Sequence, residues 1–331
     1  YLKFEEIEGV EPLGFQIGMD EVQTVPEALQ EPLFSQPEPT AAEIEQYGSV
    51  EAVPSMKVYA ILDAGKVTHL LDYIEDSDCA YECLFQGDTA QEMRDVAPYI
   101  VELNPREDFT RDVFSVSGMP RDIWGKEAGI FIRSRLGIFD LRKHFRRFTR
   151  IQVKADKRWV YFRFWEPTMI PYFLRGTDKE NLEAFFACDF ELHTIDDAGK
   201  WQKITLCNRP SEATSKMVLM KEQDFESFKL YVHMRYYYQL KNWIVDIFGN
   251  PCSIEDIDGF LRSEVQFAIN TFRTGDKRII AHYAAASWLL GERAWESDEV
   301  NKRRKIKANS RGARTLYERA FQAKHSNRKV T

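Results

Sequence analysis

Val58, Tyr59, Ala60, Ile61 and Leu62 form a continuous apolar run of strand length bounded by Lys57 and Asp63, and predict a strand. Runs of the same kind over 79–85, 99–103 and 129–132 predict three more strands, with two helical turns over 89–96 ending before Pro98. Phe139, Arg142, Phe145, Arg146 and Thr149 recur at helical spacing and predict a helix over 136–148. Residues 151–165 predict a hairpin turning at Ala155, Asp156 and Lys157. Period-two alternation through its second arm puts Val160, Phe162 and Phe164 on one face and Trp159, Tyr161, Arg163 and Trp165 on the other. Thr177 and Glu180 have capping-box spacing and predict a helix through Phe186. A second hairpin is expected from strands over 190–195 and 201–206, joined through Asp196, Asp197, Ala198 and Gly199.

Beyond Pro210 the period becomes helical. Phe225, Phe228, Val232, Tyr236, Leu240, Trp243 and Ile247 fall on one stripe, which Gly249 and Pro251 should end. A second helix should start from a cap at Ser253 and bury Ile254, Ile257, Leu261, Val265, Ala268 and Phe272. A third should cover 276–290. The expected fold is an α/β lobe of the α+β kind, with a mixed sheet and hairpins, followed by an all-α C-terminal lobe. The expected organisation is an acidic extension over 1–56, the α/β domain over 57–208, the helical lobe over 209–296 and a basic tail over 297–331.

Charge sets those boundaries. The chain has 331 residues and a net charge of -7. Residues 1–56 hold twelve acidic side chains against Lys3 alone, with six of the thirteen prolines, whereas 301–331 hold eleven basic side chains against Glu318 alone. The first segment is too charged and proline-rich to build a core of its own. Its spaced apolar residues, Leu13, Phe15, Ile17, Leu29 and Phe34, predict docking along a partner surface. The basic run Lys302, Arg303, Arg304, Lys305 and Lys307 precedes an amphipathic helix over 313–324, and an acidic protein surface is its expected target. The uncharged, mostly apolar stretch 281–291 is far below the roughly 20 residues of a membrane span, and the acidic opening residues 1–8 predict no secretory leader.

Signatures of chemistry are sparse. There is no glycine-rich phosphate loop, no G-x-S-x-G and no H-E-x-x-H, and the six histidines are scattered. Cysteines 79, 83, 188, 207 and 252 are odd in number and lack zinc spacing, which fits a reducing compartment and no metal. Asp63, Asp72, Glu75, Asp76 and Asp78 have the types of an acidic metal cluster near a strand end but are read as solvated turn carboxylates; a hydrolase with a carboxylate site near Asp63 is the enzymatic alternative. A nucleic-acid binder acting through the basic tail is the other.

Several segments follow one another in the order of a known family. They are Tyr59-Ala-Ile-Leu-Asp-Ala64, Cys83-Leu-Phe-Gln-Gly87, Ala97-Pro-Tyr-Ile-Val-Glu-Leu103, Trp124-Gly125, Gly129-Ile-Phe-Ile-Arg-Ser134, Lys143-His-Phe-Arg-Arg-Phe148 and Phe162-Arg-Phe-Trp-Glu-Pro167. Over 57–195 the chain resembles the adaptor and chaperone domain of bacterial type VI secretion systems, first catalogued as a domain of unknown function. The resemblance implies a cytoplasmic protein without cofactor or turnover. Its implied partners are a toxin effector and the spike-tip protein on which that effector is mounted, with no nucleic acid and no membrane. Arg133, Arg163, Trp165, Glu166 and Pro167 stand at the family's motif positions and are the implied contacts. Trp159 and Tyr161 join them as large aromatics expected on the same hairpin face, and Tyr236, Tyr237 and Tyr238 are the expected facing wall.

Overall fold

The computed structural model describes residues 1–16, 18, 22–207, 217–250, 254–273, 275–297 and 310–326. Ile17, Pro251, Cys252, Ser253 and the basic run at 302–307 lie outside the described residues. The chain divides into two compact units, Tyr1–Tyr231 and Val232–Thr331.

Among the described residues the first unit has ten strands: β1 (Leu2–Ile7), β2 (Lys57–Asp63), β3 (Tyr81–Cys83), β4 (Pro98–Leu103), β5 (Gly129–Ser134), β6 (Arg150–Val153), β7 (Trp159–Tyr161), β8 (Glu191–Ile195), β9 (Trp201–Leu206) and β10 (Leu219–Met220). Seven of them form one sheet in the order β1-β9-β8-β5-β2-β4-β3, with every neighbouring pair antiparallel. The other three form a small sheet, β10-β6-β7, which mixes a parallel with an antiparallel pair. The expected α+β lobe is therefore present, but mixing is confined to the small sheet.

Central position explains the unbroken apolar run of β2. Ile61 stands between Ile100 of β4 and Ile130 of β5, and all three are fully buried. Gly129 permits that approach. A Cβ there would lie 1.9 Å from the carbonyl oxygen of Ile61, closer than any non-bonded contact allows. Beside the sheet, Phe145, Phe148, Phe164, Phe185 and Phe190 pack ring against ring, with centroids 5.2–6.2 Å apart in the contacting pairs. His144 lies among them, edge-on to Phe145 and Phe148, and its Nε2 donates to the Phe185 carbonyl at 2.8 Å.

The acidic extension is built into this unit, which corrects the expectation that it docks on a partner. β1 pairs with β9 from Leu2 opposite Leu206 to Ile7 opposite Trp201. Leu13, Val25, Leu29 and Leu33 are buried in the main core. The last two are one helical turn apart on the helix Glu27–Phe34, so a single face supplies both. The arginines at the end of β5 hold the following stretch. Arg133 donates to the Ser35 carbonyl at 2.7 Å, and Arg135 pairs with Glu43 at 2.6 Å while donating to the carbonyls of Pro37 and Pro54. Phe15 remains exposed.

Local signals shifted in instructive ways. The cap expected at Thr177 is one residue later: the Asp178 side chain accepts from Asn181 N at 3.0 Å and starts the helix Lys179–Phe185. Thr177 instead accepts from the Asn181 amide side chain at 2.9 Å. The third helix is present as Lys277–Leu290, and Asp276 caps it by accepting from Arg278 N. The helix Ile257–Phe272 is capped by Asp256, which accepts from Gly259 N.

The helix Glu222–Phe248 ends where Gly249, at φ +70°, donates to the Val245 carbonyl. Its buried positions in the second unit are Tyr237, Leu240 and Ile244. Of the expected stripe, Leu240 is among these, Phe225 and Phe228 pack partly buried against the first core, and Val232, Trp243 and Ile247 are exposed. Leu261, Val265, Ala268 and Phe272 of the next helix and Ile280, Tyr283, Ala284 and Trp288 of the third complete that core. The final helix, Ser310–Ser326, adds Ala313, Leu316 and Ala320, so this part of the expected tail is core and not an appendage. At its centre Glu264, nearly fully buried, accepts from Tyr283 Oη, Ser287 Oγ and Arg293 Nε at 2.9–3.1 Å.

Candidate partner-binding surface

The motif residues separate into those that hold the fold and those that face outward. Arg133 is buried, pairing with Glu191 at 2.9 Å in addition to its bond to Ser35. Burial works against the charge of Glu191, but His193 and the Arg133 guanidinium beside it hold the carboxyl at about 2. His193 is itself enclosed, and burial pushes its imidazole below the usual histidine range. Trp201 Nε1 donates to His193 Nδ1 at 3.3 Å, so in the neutral ring the proton sits on Nε2, toward Glu191.

Trp165 does not share a face with Trp159 and Tyr161. β7 ends at Tyr161, and the chain then turns, with Glu166 N donating to the Arg163 carbonyl at 2.9 Å. That turn swings Trp165 inward until it is 2 % exposed. Its Nε1 donates to Asp63 Oδ2 at 2.8 Å, and the same oxygen pairs with the half-exposed Arg163. Gly65 N donates to the other carboxylate oxygen of Asp63 at 2.8 Å. Asp63 is thus the closed centre of a latch between the end of β2 and the turn after β7. Glu166 pairs with Lys66 at 2.8 Å, and Lys66 also donates to the Glu127 carbonyl.

The other expected acidic residues are dispersed: Asp72 faces His69, Glu75 accepts from Tyr81, and Asp76 lies 3.9 Å from Arg121. Among the described residues no three His, Cys, Asp or Glu side chains converge on a metal-sized site. The three tyrosines of the second unit serve its packing. Tyr237 is buried and donates to Asp258, Tyr238 packs edge-on against it at 5.3 Å, and Tyr236 donates to the Lys277 carbonyl at 2.7 Å. Burial pushes the Tyr236 hydroxyl up to about 12.

Trp159 and Tyr161 do face outward, each about half exposed, at 48 % and 49 %. With Leu84, Phe85, Gln86, Thr89, Arg146, Thr149 and Arg150 they line a recess of about 470 Å³. Phe85 forms its floor and meets Tyr161 edge-on at 5.5 Å. Register explains the gathering: Arg150 stands opposite Tyr161 and Gln152 opposite Trp159, so all four side chains leave the same face of the small sheet. Ile151, Val153 and Phe162 leave the other face and are buried.

Among the described residues neither Arg146 nor Arg150 has a carboxylate partner. A second recess, of about 580 Å³, lies between Phe15, Val22 and the segment around Met119, but its arginines are neutralised. Arg111 pairs there with Asp108 at 3.1 Å and Arg121 with Asp112 at 2.9 Å. The uncompensated charge of the small-sheet recess had a sequence signal that pattern reading passed over. Residues 142–163 hold nine Lys and Arg side chains against Asp156 alone, within an acidic chain.

Residues 58–184 match the family model described as "Domain of unknown function (DUF4123)". The match runs from β2 past β7, and so contains the Asp63 latch and the small-sheet recess. β1, β8, β9 and the helical unit lie outside it. No match is found among curated proteins or among solved structures.

Proposed function

We propose that this protein is a bacterial cytoplasmic adaptor that binds a toxin effector of a type VI secretion system and helps load it onto the spike-tip protein, without chemical turnover. The observation carrying this reading is the coincidence of the matched segment with the aromatic and cationic recess. Half-exposed Trp and Tyr beside unpaired Arg are the side chains that dominate protein interfaces. The motif order noted in the sequence points to the same role. In this reading Trp159, Tyr161, Arg146 and Arg150 contact cargo. Arg133, Trp165 and Glu166 hold the scaffold, and Arg163 closes the latch on Asp63. Nothing in the surroundings of Asp63 favours the hydrolase alternative, since its carboxylate is engaged by Gly65, Arg163 and Trp165.

The test is co-expression with a type VI toxin effector and a spike-tip protein from the same genome, followed by affinity capture. Wild type should recover both toxin and spike-tip protein. The variant carrying Trp159→Ala and Tyr161→Ala should lose toxin while keeping its circular dichroism spectrum. Undiminished recovery by a folded double variant would remove the recess from the interface. Hydrolytic activity that Asp63→Asn abolishes would replace the adaptor reading with the enzymatic one.

A further inference from the structure

Hydrogen bonding between β6 and β7 leaves a specific set of backbone groups free. Phe162 N donates to the Thr149 carbonyl at 3.0 Å, and Val153 N donates to the Arg158 carbonyl at 2.8 Å. Ile151 stands opposite Val160 between those two bonds. In an antiparallel ladder the bonded pairs alternate, so Arg158, Val160 and Phe162 turn their N–H and C=O toward β6. Trp159 and Tyr161 turn theirs the other way, to the open side of the sheet. Among the described residues β7 pairs only with β6. The two residues that carry the exposed aromatic rings therefore also carry the free donors and acceptors of a strand edge.

An open edge of this kind is a template for another extended chain. Natural edges are commonly protected by being covered, twisted away or blocked with proline, and β7 contains no proline. What surrounds it is positive charge. Arg146 and Arg150 line the adjoining recess, and Lys154, Lys157 and Arg158 lie in the hairpin turn against Asp156 alone.

We propose that an extended acidic segment of a partner protein adds to β7 as a further strand, with the carboxylates on its recess-facing side paired to Arg146 and Arg150 beside Phe85, Trp159 and Tyr161. Backbone pairing supplies adhesion that is indifferent to sequence, while the recess and its arginines select the side chains. A basic segment would be repelled, and a nucleic acid has no backbone ladder to offer the N–H and C=O groups of Trp159 and Tyr161. Assigning the segment to the toxin or to the spike-tip protein rests on the adaptor reading; the strand site itself rests on the geometry of β7.

The experiment uses the full chain and a fluorescein-labelled peptide of about eight alternating Glu and Val residues, the length of an ordinary strand. Binding is followed by anisotropy. Three comparison peptides are needed: one with Lys in place of Glu, one N-methylated at every Glu, and one N-methylated at every Val. The parent peptide should bind and the Lys peptide should not. Only alternate residues of an added strand donate to β7, so one N-methylated peptide should bind at least about tenfold more weakly than the other. Arg146→Gln with Arg150→Gln should weaken the parent peptide by about tenfold. No binding of the parent peptide, equal affinity of the two methylated peptides, or preferential binding of single-stranded oligo-dT would overturn the proposal. The toxin capture assay separates this result from the adaptor reading. Peptide binding without toxin recovery would refute the adaptor reading alone. Toxin recovery with no peptide binding would refute the strand site alone.

Discussion

His144 and Asp63 show how single side chains set the behaviour of the first unit. Burial among phenylalanines pushes the His144 imidazole down to about 4, so the folded protein keeps it neutral where an unfolded chain, at 6.5, takes up a proton. The unfolded state binds more protons across that window, so stability falls as the pH drops from 6.5 toward 4, by about 3 kcal/mol from this residue. Chemical denaturation at a series of pH values should show that loss in wild type and a flatter profile in His144→Gln; parallel profiles would show that His144 is not responsible. Glu191 acts at lower pH with the same sign. Its carboxyl is held at about 2 against 4.5 when free, so its contribution is present above 4.5 and lost as the pH falls toward 2. For Asp63, replacement by Ala leaves Gly65 N–H, Trp165 Nε1–H and Arg163 without their acceptor, and should cost about 1–3 kcal/mol, readable as a lower denaturation midpoint with no change in slope.

At the scale of elements, the acidic extension behaves as structure although its composition reads as a solvated segment. Leu29 and Leu33 are fully buried, and truncating either to Ala should destabilise the protein by about 2–5 kcal/mol. A free extension would instead give no change in urea midpoint. Gly129→Ala is expected to be worse than its size suggests, because the added methyl meets the Ile61 carbonyl between two central strands. How far elements can be read from sequence depends on how many environments fit one pattern. β2 was legible because its apolar run has the length of a strand and stops at Lys57 and Asp63, and the hairpin of β8 and β9 because its turn residues fix both ends. In the helix Glu222–Phe248 the expected stripe held Leu240 but took Tyr236 where Tyr237 is buried, because Tyr236, Tyr237 and Tyr238 are adjacent. Any of the three can begin an apolar face, and only packing chose Tyr237. Trp165 was misplaced because strand alternation was extended past Tyr161, where the backbone turns.

At the scale of the whole molecule, the recess is assembled from three separate stretches around Phe85, Arg146 and Trp159, so no local motif could announce it. Only the aromatic pair on the hairpin and the excess of basic residues over 142–163 were there to be read. Its unpaired arginines give the adaptor reading a salt signature. Exposed charges are screened over about 8 Å at physiological ionic strength. Toxin capture should therefore weaken with added salt in wild type, and respond less in Arg146→Gln with Arg150→Gln. Equal salt responses would place the charged contacts elsewhere.

The pairing of β1 with β9 also sets an order of events during synthesis. Glu6 meets Lys200 across a separation of 194 residues, so β1 leaves the ribosome long before its partner exists. At ordinary elongation rates that interval is roughly 10–40 s. For that time Leu2, Phe4 and Ile7 have no sheet to join, and β9 stays an open edge until they arrive. Closing so long a loop late is slow compared with local hairpin formation. The seven-stranded sheet is thus completed from its first-made strand last, and the acidic side chains of the opening residues keep that strand soluble while it waits.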